Sequence, residues 1–141
     1  MNPILSVLSF LVFIALLSWP LGRWMARALE PDAAASDRGE PVFVSPITGW
    51  EVGLLAMKNK FRSRYSPQRW LEVLLSQPLI RVAGLPPQVM MQSCFLPGRP
   101  PREPSDRIIA ATAREYGLTV MTRDSELLGF AEQGHISVEP C

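Results

Sequence analysis

The sequence predicts an α/β domain built on a mainly parallel sheet. Short runs of β-branched and aromatic residues alternate with longer amphipathic stretches between residues 42 and 138. Proline, glycine and small polar residues separate these runs, and such residues mark turns rather than the interiors of helices or strands. Regular alternation of strands and helices is typical of a sandwich in which helices cover a parallel sheet. A chain of 141 residues is long enough for one domain of this kind.

The predicted elements follow the chain from Val42 onward. The predicted strands are 42–44, 79–82, 118–122 and 136–138, and the predicted helices are 46–60, 67–77, 87–95, 105–116 and 125–131. Ser45 and Ser105 are expected to cap the helices that follow them, because a serine hydroxyl accepts a bond from an unsatisfied amide at the helix start. Gly117 fits the position after a helix, where the backbone turns left-handed.

The first 22 residues form an apolar segment without a charged side chain. As a helix, a segment of this length extends roughly 33 Å, close to the thickness of the hydrocarbon core of a bilayer. Trp19 and Trp24 fit an interfacial belt, and Arg23 and Arg27 favour a cytoplasmic position for the rest of the chain. These features predict a membrane helix, with residues 1–22 in contact with the membrane.

The same apolar stretch has a second interpretation. Residues 6–13 also suit a central strand of a parallel sheet, since such strands are buried on both faces and read as continuous apolar runs. The domain prediction is therefore an apolar segment at residues 1–30, a polar linker at 31–41 and an α/β domain at 42–141. Through WPLGRWMARALE, the opening also resembles the first transmembrane helix of the potassium-binding subunit of a bacterial potassium-importing ATPase. No ion-filter loop follows it, so potassium transport is not implied.

Composition and charge exclude several classes of function. The formal net charge is +1, so no global field attracts nucleic acid, and contact with it requires a local basic patch. Lys58, Lys60 and Arg62 form a candidate patch for phosphate contacts, although cations at the end of a helix also have a purely structural explanation. The two cysteines and the single histidine fit neither a disulfide framework nor a histidine-based zinc site.

Three acidic residues lie near predicted junctions between strands and helices, namely Glu51, Asp106 and Asp124. Ligand sites in open α/β sheets form at the carboxyl ends of the strands. Taken singly, each has a structural explanation: Asp106 complements a helix dipole, Asp124 can cap the next helix, and Glu51 suits an exposed helix face. Taken together, three carboxylates at one sheet edge would repel one another unless a cation lies between them.

A divalent cation is the expected ligand of these carboxylates. Mg²⁺ and Mn²⁺ prefer oxygen ligands, and metals of this kind promote the hydrolysis of phosphodiesters. Thr122 is expected to add a hydroxyl to the metal shell, and Arg123 is expected to contact a phosphate. The residues therefore predict a metal-dependent site that acts on a phosphodiester.

Three segments of the chain resemble the PIN domain, namely SPITGWEVGLL, LPGRPPREPSDRIIAATAREYGLTVMTRD and GHISVEPC. The resemblance covers residues 41–141 and is to the VapC type, the toxin ribonucleases of bacterial toxin–antitoxin pairs. It implies a three-layer α/β/α fold, cleavage of RNA that depends on Mg²⁺ or Mn²⁺, a cognate antitoxin that blocks the site, and a homodimer. By this match Glu51, Asp106 and Asp124 correspond to metal-site carboxylates, and Thr122 corresponds to an accessory position.

The sequence departs from the family at its first carboxylate. Members of the family begin with a central strand that ends in an aspartate, about forty residues before the glutamate that corresponds to Glu51. The equivalent position here is Val12, and residues 1–29 contain no acidic residue. Loss of a metal ligand is expected to weaken metal binding and slow hydrolysis. If residues 6–13 form the central strand, Val12→Asp is expected to raise activity.

These observations favour a PIN-like endoribonuclease toxin with an impaired site. We expect it in the cytoplasm, with the membrane helix as an anchor at the inner face of the cytoplasmic membrane. Two alternatives stay open at this point. One is a non-catalytic PIN-like module that binds an antitoxin or RNA, and the other is a membrane-anchored fusion fragment without nuclease activity.

Overall fold

The computed structural model describes Gly39 and residues 41–140. These residues belong to two compact units, an N-terminal unit that ends at Val82 and a C-terminal unit that begins at Ala83. The N-terminal unit contains β1 (Val42–Val44), α1 (Ile47–Met57), α2 (Pro67–Leu75) and β2 (Ile80–Val82). The C-terminal unit contains α3 (Pro87–Gln92), a 3-10 turn (Ser93–Phe95), α4 (Pro104–Tyr116), β3 (Thr119–Met121), α5 (Ser125–Glu132) and β4 (Ser137–Glu139).

The N-terminal unit is built around a parallel pair of strands. Strand β1 pairs with β2, and Val42 lies opposite Ile80. Parallel strands need a long crossover connection, which α1 and α2 supply here. Helix α2 starts at Pro67 and is capped by the Ser66 hydroxyl, which accepts a bond from the Arg69 amide at 3.2 Å. The connection between the helices packs against α2 through an edge-on contact of Phe61 with the buried Trp70 ring.

The C-terminal unit has the same basic plan. Strand β3 pairs in parallel with β4, and α5 forms the connection between them. Ala110 of α4 and Leu127 and Phe130 of α5 form a fully buried cluster, and it is extended by Leu96, Val120 and Ile136. Burial of a large apolar side chain contributes about 1.5 to 3 kcal/mol. This cluster therefore holds α4 and α5 together, and both helices carry predicted site residues.

The structure confirms the predicted α/β pattern and the parallel pairing. Each strand and helix expected after residue 41 is present, with ends that differ by a few residues. Helix α1 ends at Met57 rather than near Lys60, and the third predicted helix changes to a 3-10 turn at Ser93. Gly117 adopts a left-handed conformation with φ of 63° at the end of α4, as predicted.

Both predicted serine caps need correction. Helix α4 begins at Pro104 with Glu103 before it, so Ser105 lies inside the first turn and does not cap the helix. Proline is favoured at the first helical position because its fixed φ suits the helix and its missing N–H is not needed there. Helix α1 begins at Ile47, one residue later than expected, and Ser45 accepts only a long bond of 3.4 Å from the Ile47 amide.

Several predictions fall on residues 1–38, which lie outside the described residues. They include the apolar segment at 1–30 with its transporter-like opening, the membrane contact of residues 1–22, the alternative central strand at 6–13, and most of the linker at 31–41. Within the described part of the chain, no helix combines the length and the apolarity needed to cross a membrane.

Candidate functional site

Asp106 lies in the first turn of α4. A carboxylate is favoured there because the N-terminus of a helix carries a partial positive charge. The side chain is only 2% exposed. The Arg107 side chain donates a bond of 2.7 Å from Nε to the Pro101 carbonyl, which ties the preceding loop to this first turn. Asp106 is thus a buried acid at a well-anchored helix start.

Asp124 follows β3 and caps α5. Its Oδ1 accepts bonds from the amides of Glu126 at 2.8 Å and Leu127 at 3.0 Å, so the expected capping role is confirmed. Its own amide donates to Thr122 Oγ1 at 3.0 Å, and both residues are buried. Backbone and hydroxyl contacts therefore fix this carboxylate. Thr122, predicted as a metal ligand, accepts a bond that holds Asp124 in place.

Glu51 lies in the second turn of α1, in the N-terminal unit. It is only 9% exposed, so the interpretation as an ordinary exposed helix residue is wrong. Thr48 lies one turn earlier on the same helix face, since residues three apart are neighbours on a helix. The Thr48 hydroxyl is buried and has no hydrogen-bond partner within the part of the chain that the structure describes. An orphaned buried hydroxyl costs about 1 to 3 kcal/mol. This face of α1 thus carries two polar groups removed from water.

The three predicted carboxylates come from both units. Asp106 and Asp124 belong to the C-terminal unit, and Glu51 belongs to the N-terminal unit. Among Gly39 and residues 41–140, no three histidine, cysteine or acidic side chains come together as a group that could hold a metal ion. The metal-binding roles of Glu51, Asp106, Asp124 and Thr122 stay predictions.

The chemistry of the donors nevertheless fits a hard divalent cation. Buried carboxylates are costly unless cations or hydrogen-bond donors compensate their charge. Asp106 and Asp124 are both buried in one unit, at the N-termini of α4 and α5. Oxygen donors of this type are the preferred ligands of Mg²⁺ and Mn²⁺.

The predicted basic residues are exposed. The turn after α1 carries Lys58, Lys60 and Arg62. Asn59 has φ of 53° in this turn, and the amides of Lys60 and Phe61 both donate to the Leu55 carbonyl. None of the three basic side chains forms an ion pair with another described residue. Their charges therefore point into solvent.

Arg123, the fourth predicted RNA contact, belongs to the C-terminal unit and is also exposed. It lies next to Asp124 in the chain, between the end of β3 and the start of α5. Phosphate binding by these four residues stays a prediction.

Sequence reasoning missed one polar contact near Asp124. Arg102 forms an ion pair with Glu126, in which the guanidinium lies 2.6 Å from Oε1. The hydrogen bond that Arg102 donates to Glu126 and then the negative charge of Glu126 raise the pKa of the Arg102 guanidinium. The two residues are 24 positions apart and follow no motif, so only the tertiary fold brings them together.

Two comparisons with known proteins identify the family. The sequence profile of the PIN domain matches residues 12–133. The chain is also 30% identical over 107 residues to Ribonuclease VapC22 of Mycobacterium tuberculosis (strain ATCC 25618 / H37Rv), and the match covers 74% of this chain and 81% of the relative. Parallel strands that alternate with helices agree with these matches. The chain therefore belongs to the PIN domain family and has a PIN-like α/β fold.

Proposed function

We propose that the protein is a metal-dependent endoribonuclease of the VapC type, the toxin of a toxin–antitoxin pair, with an impaired site. The observation that carries this proposal is the burial of Asp106 and Asp124 in one unit of a PIN-family chain. The similarity to Ribonuclease VapC22 supports the reaction and substrate class. The implied partners are an RNA substrate, a cognate antitoxin and a second copy of the chain.

The cation is Mg²⁺ or Mn²⁺, and Asp106 and Asp124 would hold it, with Glu51 and Thr122 in the roles that the family resemblance assigns to them. When bound, such a cation stabilises charge on a phosphate and lowers the pKa of a coordinated water. The chain itself orients the carboxylates. The amides of Glu126 and Leu127 fix the Asp124 side chain, and the Thr122 hydroxyl fixes its backbone.

The basic residues would bind the RNA backbone. Lys58, Lys60 and Arg62 are exposed without ion pairs in the described part of the chain, which leaves their charges available for phosphates. Arg123 lies two residues after the end of β3 and directly precedes Asp124, so it would contact a phosphate near the cleaved bond. Each phosphate contact adds roughly one unit to the dependence of log affinity on log salt concentration.

The proposed impairment of the metal site follows from the absence of the first carboxylate of the family. The resemblance places the first aspartate of the family at about position 12, where this chain has Val12, and the family match begins at the same residue. With valine in that place, the site lacks one negatively charged ligand, so metal affinity and turnover would be below those of relatives that keep the aspartate.

The decisive experiment is RNA cleavage by the purified full-length protein with Mn²⁺, with Mg²⁺ and with EDTA. Asp106→Asn is expected to abolish metal-dependent cleavage, because it removes a buried negative charge while keeping the shape of the side chain. Glu115→Gln is the matched control, since it neutralises an exposed acid in the same helix. Equal cleavage by the wild type and Asp106→Asn would contradict the proposal.

A second candidate is a non-catalytic PIN-like module that binds RNA or an antitoxin. The absence of an acidic residue at position 12 favours it. A folded wild type that binds RNA without cutting it would support this candidate. Cleavage gained by Val12→Asp would then indicate that the missing aspartate alone separates the two functions.

A further inference from the structure

The loop at residues 96–103 is held by side chains of the C-terminal unit rather than by backbone pairing. Three of its residues are prolines, which have no amide hydrogen to donate. The Arg99 amide donates to Gln133 Oε1 at 2.8 Å, and the Arg102 amide donates to Glu126 Oε2 at 2.7 Å. Glu126 lies in the first turn of α5 and Gln133 follows its last residue, so both ends of this helix hold the loop.

Glu126 holds Arg102 at two points. One carboxylate oxygen accepts the backbone amide, and the other accepts Nε of the guanidinium at 2.7 Å. Because the acceptor is charged, both bonds are stronger than neutral ones. Because Glu126 bonds to both the backbone and the side chain of Arg102, it restricts the position and the orientation of that residue.

The attachment at Gln133 depends on a glycine. Gly98 has φ of 64°, and a Cβ atom there would lie 2.6 Å from Gln133 Oε1 and would also collide with the His135 ring. Gln133 completes the attachment by donating from Nε2 to the Arg99 carbonyl at 3.2 Å. The loop therefore passes close to the end of α5 at a point where only glycine fits.

The two candidate aspartates lie on either side of the Glu126 contact. Asp106 is four residues after Arg102, and the Arg107 side chain bonds back to the Pro101 carbonyl. On the other side, the Glu126 amide donates to Asp124 Oδ1. One residue thus contacts both the segment that leads into the first turn of α4 and the carboxylate that caps α5.

We propose that Glu126 is a positioning residue that sets the spacing between the Asp106 and Asp124 carboxylates by holding Arg102. The inference rests on the proposed function, because the spacing matters only if both carboxylates bind one cation. A contribution to the stability of the whole fold explains the Glu126–Arg102 contact less well. The Arg102 side chain is 89% exposed, and exposed ion pairs contribute little to stability.

The test compares the full-length wild type with Glu126→Ala, Glu126→Gln, Glu72→Ala and Asp106→Asn. Glutamine keeps an acceptor for the Arg102 amide but loses the charge. Glu72→Ala is the matched control, because it removes an ion pair between two exposed side chains on α2, with Arg69 at 3.0 Å. Mn²⁺ dissociation constants are measured from the electron paramagnetic resonance signal of free Mn²⁺, and Tm is measured without metal.

Glu126→Ala is expected to weaken Mn²⁺ binding tenfold or more, as is typical when a residue that orients metal ligands is removed. Glu126→Gln is expected to restore part of this loss, and Glu72→Ala is expected to match the wild type. The Tm values of the variants should agree within a few degrees. Hydrogen exchange of the Arg102 amide, measured without metal, should become faster in Glu126→Ala.

Three results would overturn the inference. The first is unchanged Mn²⁺ affinity in Glu126→Ala although the Arg102 amide has lost its protection. The second is an affinity loss that only follows a large fall in Tm. The third is a wild type whose Mn²⁺ binding is the same as that of Asp106→Asn, and this result would overturn the proposed function as well. The first two results would leave the proposed function standing.

Discussion

Two buried threonines, one in each unit, differ in what their hydroxyls do. Thr122 in the C-terminal unit accepts the Asp124 amide, and that aspartate in turn caps α5. Thr48 in the N-terminal unit has no hydrogen-bond partner among the described residues, although it lies one turn from the buried Glu51. The capping bonds satisfy the Thr122 hydroxyl and Asp124 Oδ1. The Thr48 hydroxyl lacks such a bond, and valine would fill the same space without an unsatisfied group.

The difference extends to the surroundings of each carboxylate. In the C-terminal unit, hydrogen bonds join the loop at 96–103 to the starts of α4 and α5, and another bond joins Asp124 to Thr122 after β3. The Ala110, Leu127 and Phe130 cluster lies in the same unit. The segment after α1 in the N-terminal unit instead exposes Lys60 and Arg62. We infer that these bonds fix the geometry of Asp124 and of the segment before Asp106 in the C-terminal unit.

The largest expected effect comes from removing the core of the C-terminal unit. Phe130→Ala should lower the free energy of unfolding by about 3 to 5 kcal/mol, because it leaves a cavity where a fully buried ring was packed. Phe95→Ala is the matched control, since the same atoms are removed from a ring that is 79% exposed, and the change should stay within about 0.5 kcal/mol. Urea unfolding measures both. Equal effects would contradict the assignment of Phe130 to the core.

The two threonines should respond in opposite directions when each is replaced by valine. Thr122→Val leaves the buried Asp124 amide without its acceptor and should lower the free energy of unfolding by about 1 to 3 kcal/mol. Thr48→Val removes an orphaned hydroxyl and should be neutral or raise that free energy by about 1 kcal/mol. The same urea titrations provide the measurement. If Thr48→Val lowered the free energy of unfolding as much as Thr122→Val, the predicted difference between the two threonines would be wrong.

The smallest expected effect on stability comes from replacing Asp124. The replacements distinguish the capping role of this residue from its proposed role in metal binding. Asp124→Ala should cost about 1 kcal/mol, whereas Asp124→Asn should cost only a few tenths, because asparagine caps helices about as well as aspartate. Both variants should lose Mn²⁺-dependent RNA cleavage, since neither keeps a carboxylate. Thermal unfolding and a cleavage assay on the same samples provide the test. Full cleavage by Asp124→Asn would indicate that Asp124 acts only as a helix cap and contradict its proposed metal role.

Most of the described fold could be predicted because its signals are local. The Val42–Val44 strand, the helix ending at Gly117 and the Asp124 cap each depend on a few neighbouring residues, and each is confirmed. The Ser105 cap was wrong for an equally local reason, because Pro104 provides a better helix start. Contacts between distant segments left no pattern in the sequence. For that reason the Arg102–Glu126 pair and the burial of Glu51 became visible only in the folded chain.

The prolines around Gly98 have a consequence for the dynamics of the C-terminal unit. Proline restricts the backbone before folding begins, so a loop that contains Pro97, Pro100 and Pro101 has fewer conformations to lose than an ordinary loop of its length. A small number of side-chain contacts is then enough to order it. Exchange of the exposed Pro97 for alanine would widen the ensemble of the unfolded loop. Ordering the segment that leads to Asp106 would then cost more conformational entropy, although no buried side chain had been removed.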